Sequence, residues 1–217
     1  MLALPSTLSA PPADPIRAAQ QTFRRVLDAL ARPGDIQQLD PHPALMAAFP
    51  DQPRLVWPAT LLLMLVDHEV SLAVTTVADG DALERVVRRR TRVAAAPVES
   101  ADTVVCDGPS LTPDLITALK RGSLAYPDDG ATLLILTDDR ATSDAPPVTL
   151  SGPGIDGAIR TSLPGLSPDL LAARDEAIAH YPMGIDLLLL DRAGRLLGLP
   201  RTTTITTTTT ATTGKES

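Results

Sequence analysis

Aromatic residues, cysteines and lysines are scarce in this chain of 217 residues. Aromatic side chains make up only 2% of the residues, whereas hydrophobic residues reach 44%, so we expect an aliphatic core. A single cysteine, Cys106, excludes an intramolecular disulfide and fits a reducing compartment such as the cytoplasm. Because Cys106 follows Val104 and Val105 in a strand-like run, we expect a buried thiol and not a nucleophile.

The two lysines, Lys120 and Lys215, bear on cofactor chemistry. A pyridoxal phosphate enzyme holds a lysine in its pocket, because that lysine forms a Schiff base with the cofactor. Lys120 is expected on the solvent-facing side of the helix that it ends, and Lys215 lies in a Thr-rich tail. Pyridoxal phosphate chemistry is therefore not expected, and the sequence predicts no other cofactor.

The sequence also lacks an overall basic charge and a long apolar segment. The net charge is −7, whereas nucleic-acid binding needs clustered basic side chains, so we expect no nucleic-acid partner. The longest apolar run, residues 61–66, is too short to span a bilayer. The first fifteen residues lack the basic start and the apolar run of a signal peptide. These features favour a cytoplasmic protein without a membrane partner.

Capping signals predict several helices. The first helix begins at Asp14 and Pro15 and ends at Gly34, which permits a sharp reversal of the chain. Apolar residues at three- and four-residue spacing, from Ile16 through Phe23, Val26 and Leu27 to Leu30, predict one apolar face for this helix. Further helices are predicted over residues 112–122 and 167–182, capped by Thr112 and Ser167.

The order of the predicted elements favours one α/β domain over residues 14–205. Helices and strands interleave, and the strand at 131–137 is apolar throughout, which is typical of a sheet covered on both faces. A hairpin around residues 191–194 makes that sheet mixed. Residues 1–13 are predicted to be a flexible arm, and residues 206–217 a disordered Thr-rich tail.

No self-sufficient catalytic set is evident, so no catalytic or metal-binding residue is predicted. Gly152, Gly154 and Gly157 have G-x-G-x-x-G spacing, but no helix follows them, which favours a strand-ending loop over a dinucleotide site. The three histidines are isolated in sequence and lack metal-ligand spacing. The basic cluster at residues 85–92 is interpreted as a solvated helix face, with an anion-binding face as the alternative.

Three stretches together resemble the PhnH family, the H subunit of the bacterial carbon–phosphorus lyase system for phosphonate breakdown. They are "QQTFRRVLDALARPGDI" (20–36), "LKRGSLAYPDDGATLLIL" (119–136) and "YPMGIDLLLLDRAGRLLGLPRTT" (181–203). The resemblance implies the fold of pyridoxal-phosphate-dependent transferases without the cofactor. It also implies a homodimer that joins the G, I and J subunits in a cytoplasmic core complex.

The same resemblance implies a function. With the ATP-binding L subunit, that machinery displaces adenine from ATP with a phosphonate and forms a ribose 1-phosphonate 5-triphosphate. The chain would then be a subunit of the transferase that is not catalytic alone. The alternative is a free-standing enzyme or binding protein for a phosphorylated small molecule, with a vestigial cofactor pocket.

Candidate contacts with an anion or a partner lie in the resembling stretches. Asp186 introduces an apolar strand, where a buried carboxylate needs a partner, and Arg201 follows the neighbouring strand. Our first interpretation is an Asp–Arg fastener, and the second is a phosphate or phosphonate site with arginine ligands. The candidate residues are Arg24, Arg32, Gly34, Asp186, Arg201 and Thr202.

Overall fold

The computed structural model describes residues 15–138 and 145–207, so the predicted arm and most of the predicted tail lie outside the described residues. The helices are α1 (Pro15–Ala31), α2 (Pro43–Met46), α3 (Val56–Leu65), α4 (Gly80–Thr91), α5 (Pro113–Ala118) and α6 (Pro168–Ala177). The strands are β1 (Gln37–Gln38), β2 (Ser71–Val74), β3 (Ala94–Ala95), β4 (Thr103–Asp107), β5 (Thr132–Thr137), β6 (Pro147–Ser151), β7 (Ala158–Ser162), β8 (Asp186–Asp191), β9 (Arg195–Leu199) and β10 (Thr204–Thr207). Short 3₁₀ turns span Pro53–Leu55, Gly108–Ser110 and Pro127–Asp129.

A seven-stranded mixed sheet forms the centre of the molecule, in the order β1-β9-β8-β5-β4-β2-β3. Strands β3, β2, β4, β5 and β8 run parallel to one another, whereas β9 is antiparallel to both β8 and β1. The predicted hairpin is the β8–β9 pair. The α/β class and the mixed sheet expected from the sequence are therefore confirmed.

Both faces of the inner strands β4, β5 and β8 are buried, which explains why these strands are largely apolar. Alternate residues of a strand point to opposite faces. Val105, Leu134 and Leu188 pack on one face, where they join the buried residues of α1, α3 and α4. Cys106 and Leu133 pack on the other face, with the buried residues of α5 and α6.

A second sheet of three strands, in the order β10-β6-β7, was not anticipated from the sequence. Its buried residues Val148, Leu150 and Ile205 join the core on the α5 and α6 side of the central sheet. Thr206 and Thr207 were predicted to belong to the disordered tail. They instead belong to strand β10, since both pair with β6. Gly152, Gly154 and Gly157 lie in the turn between β6 and β7, as the loop interpretation predicted.

The capping residues predicted for α5 and α6 are in place. Thr112 and Ser167 each accept a hydrogen bond from the backbone N–H three residues further on. The helices end earlier than expected, however, at Ala118 and Ala177. The sequence therefore located the beginnings of these helices more accurately than their ends.

The apolar face predicted for α1 is only partly buried. Val26 packs in the core, but Phe23 and Leu27 are each 50% exposed. The buried side of the helix is instead lined by small residues such as Ala18 and Ala29. Small side chains allow close approach to the sheet: a Cβ atom on Gly198 of β9 would lie 2.6 Å from the Ala29 carbonyl oxygen.

Candidate functional site

Asp186 and Arg201 form the ion pair that our first interpretation predicted, and we call these two residues the clasp. Asp186 is the first residue of β8, and Arg201 follows the end of β9 by two positions. The Arg201 Nη2 atom lies 2.7 Å from Asp186 Oδ2, and the Arg201 backbone N–H donates to Oδ1 at 2.7 Å. The Arg201 and Asp186 side chains are 14% and 24% exposed, so the charges compensate each other in a largely dry environment.

The clasp also holds two surface loops. Nη1 of Arg201 donates to the carbonyl oxygens of Pro127, at 2.7 Å, and Pro182, at 3.3 Å. Each of these prolines directly follows one of the chain's two tyrosines, Tyr126 and Tyr181. One guanidinium group thus connects the start of β8 to the backbone of both tyrosine-bearing loops, which the planar fork of arginine donors makes possible.

Backbone hydrogen bonds reinforce this arrangement. The Gly184 N–H donates to the carbonyl oxygen of Arg121 at 2.9 Å, which joins the two loops directly. Arg121 and Gly130 form an isolated antiparallel bridge that closes the first loop at its base. Within that loop the Ser123 N–H donates to the Tyr126 carbonyl oxygen at 3.0 Å. The loops are therefore built as one bonded unit at the edge of the sheet where β8 begins.

The other predicted contact residues lie elsewhere or have a structural role. Thr202 follows Arg201 in the turn that leads to β10. Arg24 is exposed on α1, and Arg32 pairs with Asp28 at 3.2 Å on the same exposed surface. Gly34 has a φ of 98°, as expected for the predicted reversal after α1. An anion site that combines these arginines stays a prediction.

Lys120 differs from its predicted place on the solvent-facing side of a helix. Its side chain is 25% exposed, and its Nζ forms a close ion pair with Asp102. Asp102 also accepts hydrogen bonds from the backbone N–H and the hydroxyl of Ser71. Burial by itself raises the pKa of Asp102, but the hydrogen bonds from Lys120 and Ser71 outweigh it and hold that pKa below its ordinary value. This cluster fastens the amino-terminal ends of β2 and β4.

A cleft of about 130 Å³ opens at the opposite edge of the sheet, where the parallel strands end. The chain leaves β2 towards β3 on one side and leaves β4 towards β5 on the other, so the connections diverge between these adjacent strands. Such a switch point is where open α/β sheets usually bind ligands. The cleft was missed from the sequence because its position depends on strand order. Its lining residues are Arg54, Leu55, Pro58, Val77, Asp107, Pro109, Ser110, Leu136, Thr137, Asp138, Leu190, Asp191 and Arg192.

Two arginines and several carboxylates border the apolar floor of this cleft. Nη2 of Arg54 lies 2.6 Å from Asp79 Oδ2 and 2.9 Å from the Ala78 carbonyl oxygen. Arg192 pairs with Asp138 at 2.9 Å, and both of these side chains are well exposed. The cleft therefore offers guanidinium groups to an anion, but each of them is already paired with a carboxylate that an anion would have to displace or accompany.

The basic cluster at residues 85–92 forms the last two turns of α4 and the residue after it. Arg88 pairs with Glu84 at 3.3 Å, one turn away, and Arg90 donates to the Ala44 carbonyl oxygen at 3.2 Å. Arg85 and Arg89 are exposed to solvent. Cations near a helix carboxyl end are stabilised by the helix dipole, so the solvated-face interpretation accounts for the cluster.

Arg174 on α6 is a structurally important residue that the sequence interpretation missed. Its side chain is fully buried, and Nη2 donates to the carbonyl oxygens of Pro200, at 3.0 Å, and Thr203, at 2.9 Å. Burial lowers the pKa of Arg174, which the neighbouring Asp175 carboxylate partly counteracts. The signal was present in the sequence, since Arg174 follows Leu170 by one helical turn and so lies on the apolar face.

The described part of the chain shows neither a metal centre nor a transmembrane helix. Within residues 15–138 and 145–207, no group of three or more His, Cys, Asp and Glu side chains is arranged to hold a metal ion. In the same ranges, every helix is too short or too polar to cross a bilayer.

The fold and these sites define an α/β protein with two distinct edges, one closed by the clasp and one open at a cleft. The chain belongs to the PhnH family, because the family model described as bacterial phosphonate metabolism protein (PhnH) matches residues 12–206.

Two curated relatives agree with this assignment. One, from Stutzerimonas stutzeri, is named as a C-P lyase subunit protein, HtxG; it is 32% identical over 186 residues, which cover 86% of this chain and 85% of the relative. The other, from Rhizobium meliloti (strain 1021), is named alpha-D-ribose 1-methylphosphonate 5-triphosphate synthase subunit PhnH. It is 29% identical over 194 residues, which cover 88% of this chain and 92% of that protein.

Proposed function

We propose that this chain is the H subunit of a carbon–phosphorus lyase core complex. In this role it is required, with the G, I and L subunits, to transfer a phosphonate onto the ribose C1 of ATP with release of adenine. The observation that carries the proposal is the family match over residues 12–206. It is supported by the relative named as a subunit of a ribose 1-methylphosphonate 5-triphosphate synthase, which this chain matches over 88% of its length.

We further propose that the fold is that of pyridoxal-phosphate-dependent transferases and that it works without the cofactor. A mixed sheet covered on both faces, with a cleft at the carboxyl ends of its parallel strands, supports the fold. The residues lining that cleft do not fit the cofactor, because none of them is a lysine. Lys120, the one lysine among the described residues, pairs with Asp102 at the opposite edge.

Assembly in the cytoplasm as a homodimer that joins the G, I and J subunits is part of the proposal. The exposed residues Phe23 and Leu27, four positions apart on α1, support a dimer because they place apolar surface on one face of the helix. A two-fold dimer would pair this face with the same face of a second copy.

Reconstitution tests the proposed function. The G, I and L subunits, ATP and methylphosphonate are combined with and without this chain, and adenine and the ribose phosphonate product are measured. We expect product only when the chain is present, and none from the chain alone. Undiminished product without the chain would exclude the proposed role.

The alternative is a protein that binds a phosphorylated small molecule by itself. The cleft at the switch point favours this alternative, because Arg54 uses one nitrogen for its contacts with described residues and retains other donors. Calorimetric titration of the isolated chain with ATP and with methylphosphonate distinguishes the two functions. Saturable binding that Arg54→Gln weakens at least tenfold, without any need for partner subunits, would support the alternative.

A further inference from the structure

Aromatic side chains are rare in this protein, yet most of them are not used in its core. Of the five aromatic residues, three are at least half exposed: Phe23, Tyr126 and Tyr181. The two tyrosines are 64% and 71% exposed, and the nearby Leu124 is 74% exposed. Tyrosine is enriched in protein interfaces, where it supplies a large contact area at low entropic cost.

The clasp brings these exposed side chains to the same region. Nη1 of Arg201 contacts the carbonyl oxygens of the residues that directly follow Tyr126 and Tyr181, so the Pro127 and Pro182 oxygens both lie within 3.3 Å of one nitrogen atom. Leu124 precedes Tyr126 by two positions in the same loop. We call Leu124, Tyr126 and Tyr181 the platform. Because its loops are already held in place, ordering them on binding would cost little entropy.

Two exposed carboxylates lie beside the platform, together with one partly exposed arginine, Arg121, at the base of the Tyr126 loop. Asp128 and Asp129 form the turn directly after Tyr126, and both are exposed. The positive charge of Arg201 is compensated by Asp186 beneath the loops. A partner surface that fits the platform would therefore combine an apolar pocket with lysine or arginine side chains at its border.

We propose that the platform is the surface with which this chain docks onto a different subunit of its complex, one that presents an apolar pocket bordered by basic side chains. The proposal rests on the proposed function and specifies the surface that serves it. The clasp has a positioning role, since it holds the tyrosine-bearing loops in the conformation that binds.

The acidic border argues against a second copy of the chain as the occupant. A two-fold contact buries the same patch of both copies, so it would bring two copies of the Asp128 and Asp129 carboxylates into one interface. Like charges placed opposite one another at an interface oppose association. The platform is thus complementary to a basic partner and not to itself.

The experiment compares two double variants with the wild-type chain. In the platform variant, Tyr126→Ser is combined with Tyr181→Ser; in the control variant, Ile36→Ser is combined with Met46→Ser, which are also exposed apolar residues. Thermal unfolding and light scattering establish that each variant folds and keeps the oligomeric state of the wild type. Binding to the purified G, I and J subunits is then measured by biolayer interferometry.

We expect the platform variant to fold normally and to bind the partner subunits at least tenfold more weakly, whereas the control variant binds like the wild type. A third variant, Asp128→Lys with Asp129→Lys, should also bind more weakly, because it reverses the charge at the border.

Four outcomes would overturn the proposal. Wild-type affinity in the platform variant would reject the surface while leaving the proposed function intact. An equal loss in the control variant would show that the platform has no special part in binding, and altered self-association of the platform variant would identify a second copy as its occupant. A wild-type chain that binds none of the three subunits would reject the docking surface together with the proposed function.

Discussion

Arg201 shows how much of this structure depends on a single side chain. It combines an ion pair with Asp186 and hydrogen bonds to two loop carbonyl oxygens. A lysine in its place could keep the charge but not the fork of donors, so it could not satisfy all these acceptors at once. The clasp therefore requires arginine for its geometry as much as for its charge.

Asp186→Asn should destabilise the protein by about 2–3 kcal/mol, because it leaves the largely buried Arg201 without its counter-charge. Urea unfolding followed by circular dichroism measures this change. Asp138→Asn is the matched control, since Asp138 pairs with Arg192 at a well-exposed site. This substitution should lower the free energy of unfolding by less than about 1 kcal/mol. Equal effects of the two substitutions would show that burial of the clasp contributes no extra stability.

Asp102 should make the stability depend on pH in the acidic range. Its pKa is lowered in the folded state, so its stabilising contribution is fully present above the ordinary value of 3.8 and is lost as the pH falls through the lower folded-state value. Asp102→Asn should therefore unfold at lower urea concentration than the wild type at neutral pH. The difference between the two midpoints should shrink below pH 3.8. A difference that stays constant with pH would contradict the role of the Asp102 charge.

Among the elements, the β8–β9 hairpin has a turn that is fixed by side-chain as well as backbone interactions. Asp191 is buried and accepts hydrogen bonds from the backbone N–H groups of Ala193 and Arg195, both at 2.9 Å. Gly194 completes the turn with a φ of 79°, and a Cβ atom there would lie 2.6 Å from the ring of Trp57. The turn is thus fixed both by its backbone conformation and by packing against the only tryptophan.

Gly194→Ala and Gly157→Ala form a matched pair that separates these two effects. Gly157 has a similar φ of 69°, but the space around it is open. We expect Gly157→Ala to cost about 1–2 kcal/mol from the left-handed backbone alone. Gly194→Ala should cost about 1–3 kcal/mol more from overpacking. Urea unfolding gives the costs, and a change of Trp57 fluorescence in Gly194→Ala would locate the disturbance. Equal costs would mean that Trp57 moves away freely.

Local signals in the sequence predicted those elements that depend on neighbouring residues. Thr112 and Ser167 cap their helices because a side-chain oxygen reaches a backbone N–H within the same turn. The second sheet depends instead on distant pairing, since Ile205 of β10 lies opposite Leu150 of β6. Strand β7 also lacks an alternating apolar pattern, because Ile159 is its one large apolar residue and the three residues that follow it are polar. Such pairings are not encoded in short-range patterns.

The same distinction applies to the candidate site. The Asp186–Arg201 pair was predictable, because both residues flank apolar strands that form a hairpin. The cleft was not predictable, because it exists only once β2 and β4 lie side by side with diverging connections. The loop contacts of Arg201 also escaped prediction, since Pro127 is far from it in sequence.

For the molecule as a whole, Cys106 can report global unfolding. It is fully buried in β4, an inner strand of the sheet, and burial, with a smaller effect of Asp107, raises the pKa of its thiol to about 12. We expect no reaction with a thiol reagent at pH 8 in native conditions and rapid reaction in urea. The labelling rate should follow the urea dependence of global unfolding. Fast labelling without urea would indicate that the core opens locally.

Strand pairing in the central sheet also constrains how the protein is made on the ribosome. Among the described residues, β1 pairs only with β9, and the Gln38 side chain donates to the Ala193 carbonyl oxygen, 155 residues later in the chain. During synthesis, α1 and β1 therefore emerge long before β9, with which β1 pairs. Strand β5 likewise emerges before its neighbour β8. The nascent chain must carry unpaired apolar strands until translation has passed β9, so we expect chaperones to bind it and premature termination to leave an aggregation-prone product.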